Sequence, residues 1–333
     1  MTVGITYDLR KEYLEQGFGE EETAELDKIE TIEAIDEALR ALGFTTERIG
    51  HLNSLIRLIA RGRSWDIVFN IAEGIYGLGR EAQIPALLDA FKIPYTFSDP
   101  LVLSLTLHKG MTKHVVRDCG IPTPDFAVIE QASELSHVAI PFPLFAKPVA
   151  EGTGKGISRK SKINNRDELY GVISDLLERF RQPVLIEKFL PGREFTVGIV
   201  GTGSRAEALP VMEICLRKGA EEGAYSLKNK QNYKEVVEYR LIGGELSVRC
   251  AEVALSAWRS LGCRDAGRID LRLDEREMPN FIEVNPLAGL NPIDSDLPII
   301  CRMAGISYNR LIQRIMESAL ERIDTFQPEK KRS

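Results

Sequence analysis

Apolar and polar residues alternate along the first hundred positions in two rhythms. VGITY (3–7) reads as a short strand, and after an acidic connection Ile29, Ile32, Ile35, Leu39 and Leu42 recur at helical spacing up to Gly43, a helix stop. Residues 44–49 read as a second strand. LNSLIRLIARG (52–62) then reads as a helix leading to WDIVFN (65–70), and REAQIPALLDAFKI (80–93) as another leading into an extended PYTF. Strands separated by helices imply parallel pairing with helical crossovers.

Further on, residues 101–119 predict a single linking helix closed by Cys119 and Gly120, and the prolines of IPTPDFAVI (121–129) mark a chain changing domain. LFAKPV (144–149) and PVLIEKFL (183–190) read as strands around a Leu- and Ile-rich helix at 167–180. EFTVGIV (194–200) and ALPVMEI (208–214) alternate with period two, which points to antiparallel pairing in an α+β region. A helix at 247–261, two strand-like segments and an amphipathic helix at 307–323 close the chain. The expected domains are 1–105 (α/β), 106–190 and 191–326 (both α+β), with a tail at 327–333. No internal repeat or low-complexity segment interrupts this plan.

Composition narrows the function classes. A chain of 333 residues with 44% hydrophobic content can bury a large core divided among two or three domains. A net charge of −6 and a pI near 5.5 give no basic field for a phosphate backbone, so nucleic acid is not an expected partner. Five cysteines, at 119, 215, 250, 263 and 301, form no C-x-x-C pair and suit a reducing cytoplasm better than a disulfide framework. No segment has the length and apolarity of a signal peptide or a bilayer span, so neither export nor a membrane location is expected.

The two late strand-like segments carry the candidate chemistry. If RIDLRL (268–273) and FIEVN (281–285) form a hairpin over the polar loop DEREMP (274–279), Ile269, Leu271, Leu273, Ile282 and Val284 face the core. Arg268, Asp270, Glu283 and Asn285 then share the other face. In the symmetric register Asp270 lies opposite Glu283, about 5 Å apart at Cβ, and two like charges so placed repel. A divalent cation relieves the repulsion, and two carboxylates with an amide oxygen are hard ligands suited to Mg²⁺, with nucleotide phosphates as partner. The wet face of an ordinary amphipathic hairpin accounts for the same pattern.

AKPVAEGTGKGIS (146–158) places Gly152, Gly154 and Gly156 after an apolar strand, with Lys147 in the strand and Lys155 in the loop. Such glycines let backbone N–H groups surround phosphate oxygens, although a flexible turn needs them equally. The segment is not a Walker A loop, because Gly156 follows Lys155 where Ser or Thr would stand. No G-x-G-x-x-G follows the first strand, and the glycines of EGIYGLG (73–79) have the wrong spacing, which removes the main support for a dinucleotide-dependent dehydrogenase. The histidines at 51, 108, 114 and 137 form no metal or triad signature, and no G-x-S-x-G is present.

In order and spacing, AKPVAEGTGKGIS, VLIEKFLPGREFTVGI, GRIDLRL and FIEVNPLAGLNP resemble the ATP-grasp superfamily, specifically the D-alanine–D-alanine ligases; REAQIPALLDAFKIPYTF through CGIPTP extends the likeness into the first domain. The resemblance implies an ATP-grasp fold preceded by a Rossmann-like α/β domain, with ATP between two α+β units. It implies that Lys109 and Lys147 contact phosphates. Glu187, with the backbone of Lys188 and Leu190, would receive the adenine, and Glu194 the ribose. Lys230 would be a phosphate-binding lysine on a mobile loop, with Gly152 and Gly154 in the glycine loop. Asp270, Glu283 and Asn285 match its Mg²⁺ ligands, a site Mn²⁺ could also fill. Arg268 and a backbone N–H near Gly289 match the groups that hold the oxyanion of a tetrahedral intermediate. The implied reaction activates a carboxylate as an acyl phosphate, which an amine then attacks, releasing ADP and phosphate for cell-wall peptidoglycan synthesis. A homodimer is a family habit.

The chain departs from the family where amino-acid substrates bind. AEG (72–74) replaces a His-x-Gly, Thr153 and Gly154 replace a Ser-Ser pair with only the Thr153 hydroxyl kept, and Gln231 replaces a tyrosine. The family's N-terminal substrate-binding glutamate has no single counterpart among Glu21, Glu22 and Glu25, and NPIDSDLP (291–298) is one residue longer than the family's segment, with Ser295 as the carboxylate contact. Three readings therefore stay open: D-alanine–D-alanine ligation, ligation of other amino acids or peptides, and a nucleotide-binding protein without turnover.

Overall fold

The computed structural model describes residues 1–217 and 233–326. It opens with β1 (Thr2–Thr6), α1 (Arg10–Glu15), α2 (Ile29–Ala41), β2 (Thr45–Gly50), α3 (Leu52–Ala60) and β3 (Ile67–Asn70). These strands form a sheet ordered β2-β1-β3 with both pairings parallel, as the alternation of elements requires. Val3, Ile5 and the apolar stripe Ile32, Ile35 and Leu39 of α2 are fully buried, so the helical spacing read from sequence is the face that meets the sheet. The PYTF segment contributes only a bridge between Val68 and Tyr95, not a fourth strand.

A 3-10 turn (Arg80–Ala82) leads through α4 (Gln83–Ala90) to α5 (Pro100–Leu107) and α6 (Lys109–Asp118). The single helix expected over 101–119 is thus two. Asp99 accepts from the Val102 N–H and caps α5 with Pro100 behind it, while the His108 ring accepts from the Met111 N–H and caps α6. The Lys109 N–H, freed at the break, donates to Val149 O at 3.1 Å, which docks the start of α6 on the strand that precedes the glycine loop.

The second sheet, ordered β4-β7-β5-β6, consists of β4 (Phe126–Ile129), β5 (Leu144–Pro148), β6 (Lys162–Ile163) and β7 (Val184–Lys188), covered by α7 (Arg166–Phe180). Its pairings are antiparallel. The third sheet joins β8 (Glu194–Val200), β9 (Glu207–Ala208), β10 (Met212–Leu216), β11 (Val237–Leu241), β12 (Ala266–Leu273) and β13 (Pro279–Asn285), also antiparallel. ALPVMEI is split between β9 and β10 around Pro210, which has no N–H for a ladder. The helix Gly244–Ser260 covers one face through Trp258, and the last helix, Tyr308–Phe326, packs on α2. No helix among the described residues is long and apolar enough to cross a membrane, and all five cysteines are unpaired.

Candidate active site

The hairpin of β12 and β13 forms the floor of a cleft. Arg268 pairs with Asn285, Ile269 with Val284 and Asp270 with Glu283, the register expected from strand alternation. Beyond Asp270 the ladder shifts, and Leu271 pairs with Phe281. Ile282 is the extra residue of this bulge. Sequence alternation placed Ile282 in the core, but the inserted residue reverses the pattern: Phe281 is fully buried and Ile282 lines the cleft beside Glu283.

Charges on this floor face opposite charges. Arg268 Nη1 donates to both Asp270 oxygens at 2.9 and 2.8 Å and lies 3.2 Å from Asp296, the first residue of the helix Asp296–Met303. Glu283 lies 3.7 Å from Lys109 Nζ and 3.8 Å from Lys147 Nζ. Among the described residues no three His, Cys, Asp or Glu side chains form a metal cage. Two facing carboxylates and the Asn285 amide nonetheless fit Mg²⁺, which takes few protein oxygens and completes its shell with water and phosphate. Their juxtaposition is one a cation stabilises.

Next to the floor lies a narrow slot walled by Phe145, Ile157, Phe189, Leu190, Ile214 and Ile282. Glu187 stands in it, buried, 2.8 Å from Lys113 Nζ and 3.1 Å from Lys147 Nζ. Burial pushes the Glu187 carboxyl up, but the two lysines outweigh it and hold the group below its ordinary value. Burial lowers Lys113 to about 8, whereas at Lys147 the attraction of Glu187 and Glu283 outweighs burial and holds the ammonium form. The Lys188 side chain turns away to the carbonyls of Pro141 and Phe142, so only its backbone is placed near the slot. Glu194 lies at its rim, 3.4 Å from Arg272.

The glycine loop divides its groups between slot and cavity. Gly154 lines the slot, while the Gly152 N–H donates to Glu25 and a side chain at 152 would collide with that carboxylate. Lys155 does not point at an open phosphate position: it is held by Glu151 and, at 3.0 Å, by Glu25. Thr153 has φ 54°, which a β-branched residue rarely adopts, and lines the wider cavity.

That cavity, 590 Å³, continues from Arg268 and Lys109 past Gly289 and Ser295 to the N-terminal domain. A side chain at 289 would come 2.8 Å from Ser295 Oγ, so a glycine there keeps the approach open. Ser295 Oγ accepts from the Asn291 N–H at 3.0 Å and closes the loop between hairpin and helix. Of the three N-terminal glutamates left open by sequence, Glu25 reaches the cavity, gripped by Arg80 and Lys155 at 3.0 Å each. The attraction of these cations outweighs burial and lowers its pKa. Lys230 and Gln231 lie outside the described residues.

Sequence reasoning missed Lys113, Asp296, Glu73 and Glu81. Lys113 had a signal: four residues after Lys109 on a helix, it shares the face that carries Lys109. Asp296, Glu73 and Glu81 sit at loop or helix starts, where no periodicity marks direction.

A family model described as the D-ala D-ala ligase C-terminus matches residues 115–317. A D-alanine–D-alanine ligase of Bordetella avium is 34% identical over 292 residues, covering 86% of this chain and 87% of that one. One from Aquifex aeolicus is 32% identical over 290 residues, covering 86% and 94%. In fold, the Bacillus anthracis D-alanine–D-alanine ligase solved with ATP superposes with a TM-score of 0.74 at 24% identity, covering 98% of this chain and 99% of that one.

Proposed function

The chain belongs to the D-alanine–D-alanine ligase family, and from that premise we propose that it is an ATP-dependent ligase joining the carboxylate of one D-alanine to the amine of another. The products would be the dipeptide for peptidoglycan synthesis, ADP and phosphate, and a substrate such as ATP fits action in the cytoplasm. The observation that carries this reading is the meeting of Arg268, Asp270, Glu283 and Asn285 with Lys109 and Lys147 at one cleft.

In this reading the apolar slot holds the adenine against Glu187 and the backbone near Lys188 and Leu190, with Glu194 on the ribose. The slot measures about 80 Å³, so it would have to widen when the adenine enters. Lys109, Lys147 and the loop around Gly154 neutralise charge on the phosphates. Asp270, Glu283 and Asn285 would hold Mg²⁺, or Mn²⁺, which supplies further charge neutralisation to the transferring phosphoryl group. Lys230 carries a phosphate-binding role by resemblance alone.

The first carboxylate attacks the terminal phosphate and ADP leaves. The amine then attacks the acyl carbon, and the guanidinium of Arg268 with a backbone N–H near Gly289 stabilises the oxyanion until phosphate departs. Asp270 and Asp296 on either side of Arg268 fix its direction. Thr153 and Ser295 line the substrate end. Phosphate release from Mg-ATP with D-alanine, followed by recovery of D-alanyl-D-alanine, tests the proposal. Turnover with D-alanine is the expected result, and ATP binding without any turnover on D-alanine would overturn it.

A further inference from the structure

The cations that line the cavity already have partners. Arg10 binds Glu20, Lys28 lies 3.4 Å from Asp294, Arg268 lies between Asp270 and Asp296, and Lys109 is bonded to the Glu151 carbonyl at 2.6 Å. Arg80 and Lys155, behind the N-terminal wall, both bind Glu25. The same wall presents Glu73 and Glu81, and among the described residues neither has a hydrogen-bond or ion-pair partner.

These two residues stand at the two ends of one loop, Glu73 just before Gly74 and Glu81 in the 3-10 turn Arg80–Ala82, and the loop's backbone is held. The Gly74 N–H donates to Asp8 at 2.9 Å, Gly74 adopts φ 71° with no room for a side chain against the Arg80 carbonyl, and Gln83 holds the Tyr76 carbonyl at 3.0 Å. Burial, then Glu81, Glu25 and Asp27, raise Glu73 well above the ordinary carboxyl range. Burial raises Glu81 to about 7 against the pull of Arg80. A positive group placed between the two would favour their ionised forms.

The ligand site itself rests on the cavity beside Arg268 and Gly289, and the acidic loop bears only on what enters it. At 590 Å³ the cavity falls in the range of small-molecule sites, roughly 300–1,000 Å³, and leaves room for a side chain larger than methyl. We propose that Glu73 and Glu81 form a cation-recognising subsite, through which the enzyme accepts a D-amino acid with a positively charged side chain in one of its two substrate positions, beside D-alanine. This rests on the ligase reading and widens its substrate range. Glu73 and Glu81 are specificity-determining residues here, reading the side chain rather than the reacting groups.

The test compares D-lysine with its neutral isostere D-norleucine, each with D-alanine and Mg-ATP, reading phosphate release and the mixed dipeptide. The expected kcat/KM ratio is at least about tenfold in favour of D-lysine, falling toward one in Glu73→Gln and Glu81→Gln. A ratio near or below one in the unaltered enzyme, or a ratio unchanged in the double variant, would overturn the proposal. Circular dichroism confirms that the variants fold. Calorimetric binding of the same two amino acids, with Mg²⁺ and a non-hydrolysable ATP analogue, separates the two readings. Tighter binding of D-lysine without turnover upholds the subsite while the ligase reading fails, and equal affinities sink the subsite whatever the turnover.

Discussion

At the hairpin floor Arg268 lies between Asp270 and Asp296, and Glu283 faces Lys109 and Lys147, whereas across the cavity Glu73 and Glu81 stand at the two ends of one loop without ion-pair partners among the described residues. Both regions gather carboxylates, but only the first holds them at ion-pair distance from the protein's own cations, whereas Arg80 only partly offsets Glu73 and Glu81. The difference teaches what each region awaits. A network balanced from within would take in a metal only together with the negative phosphates that the metal carries, and an unbalanced one is completed by positive charge brought in from outside.

The sharpest way to break this contrast is to remove the balance. Glu187→Ala would leave Lys113 and Lys147 buried without their shared carboxylate, and breaking a buried pair in this way costs about 3–5 kcal/mol. Thermal denaturation should show a large fall in Tm. An unchanged Tm would mean that the network of Glu187, Lys113 and Lys147 bordering the floor is not a balanced one. Arg268→Met comes next: phosphate release should drop about 10² to 10³-fold, the size of one lost oxyanion donor, with nucleotide affinity little altered. Equal losses in affinity and turnover would assign Arg268 to binding instead.

A smaller effect sharpens the other side. Burial holds Glu81 at about 7, and Asp27 at about 7 as well, well above their values in an unfolded chain. A raised carboxyl pKa contributes stability that is full below the unfolded value near 4 and is lost as pH rises through 7. The protein should therefore lose more Tm between pH 5 and 8 than Glu81→Gln does, by about 2–4 °C for each kcal/mol. Parallel pH profiles for the two proteins would contradict an unpartnered Glu81.

How much could be read from the chain follows the same division. Asp270, Glu283 and Asn285 were legible because strand alternation fixes direction, and their register is as the pattern required. Ile282 was not, because a bulge leaves no mark in the alternation it breaks. The parallel first sheet was legible from its alternating elements, while the break at His108 was hidden by apolar residues that continue across it. Glu25 could not be told from Glu21 and Glu22, and Glu73 and Glu81 were silent. Each of these meets its neighbours across long sequence separations or at a turn, where no local period applies. The ATP-grasp fold was legible as a whole because four separated motifs kept their order.

The central claim is that the facing acids of the hairpin grip a divalent cation that carries the nucleotide phosphates. Calorimetric titration of a non-hydrolysable ATP analogue, with and without Mg²⁺, into the unaltered protein and into Glu283→Gln tests it directly. The expected result is a metal-dependent gain in affinity of at least about tenfold that is largely lost in the variant, with the fold intact. The same gain in both proteins would contradict it.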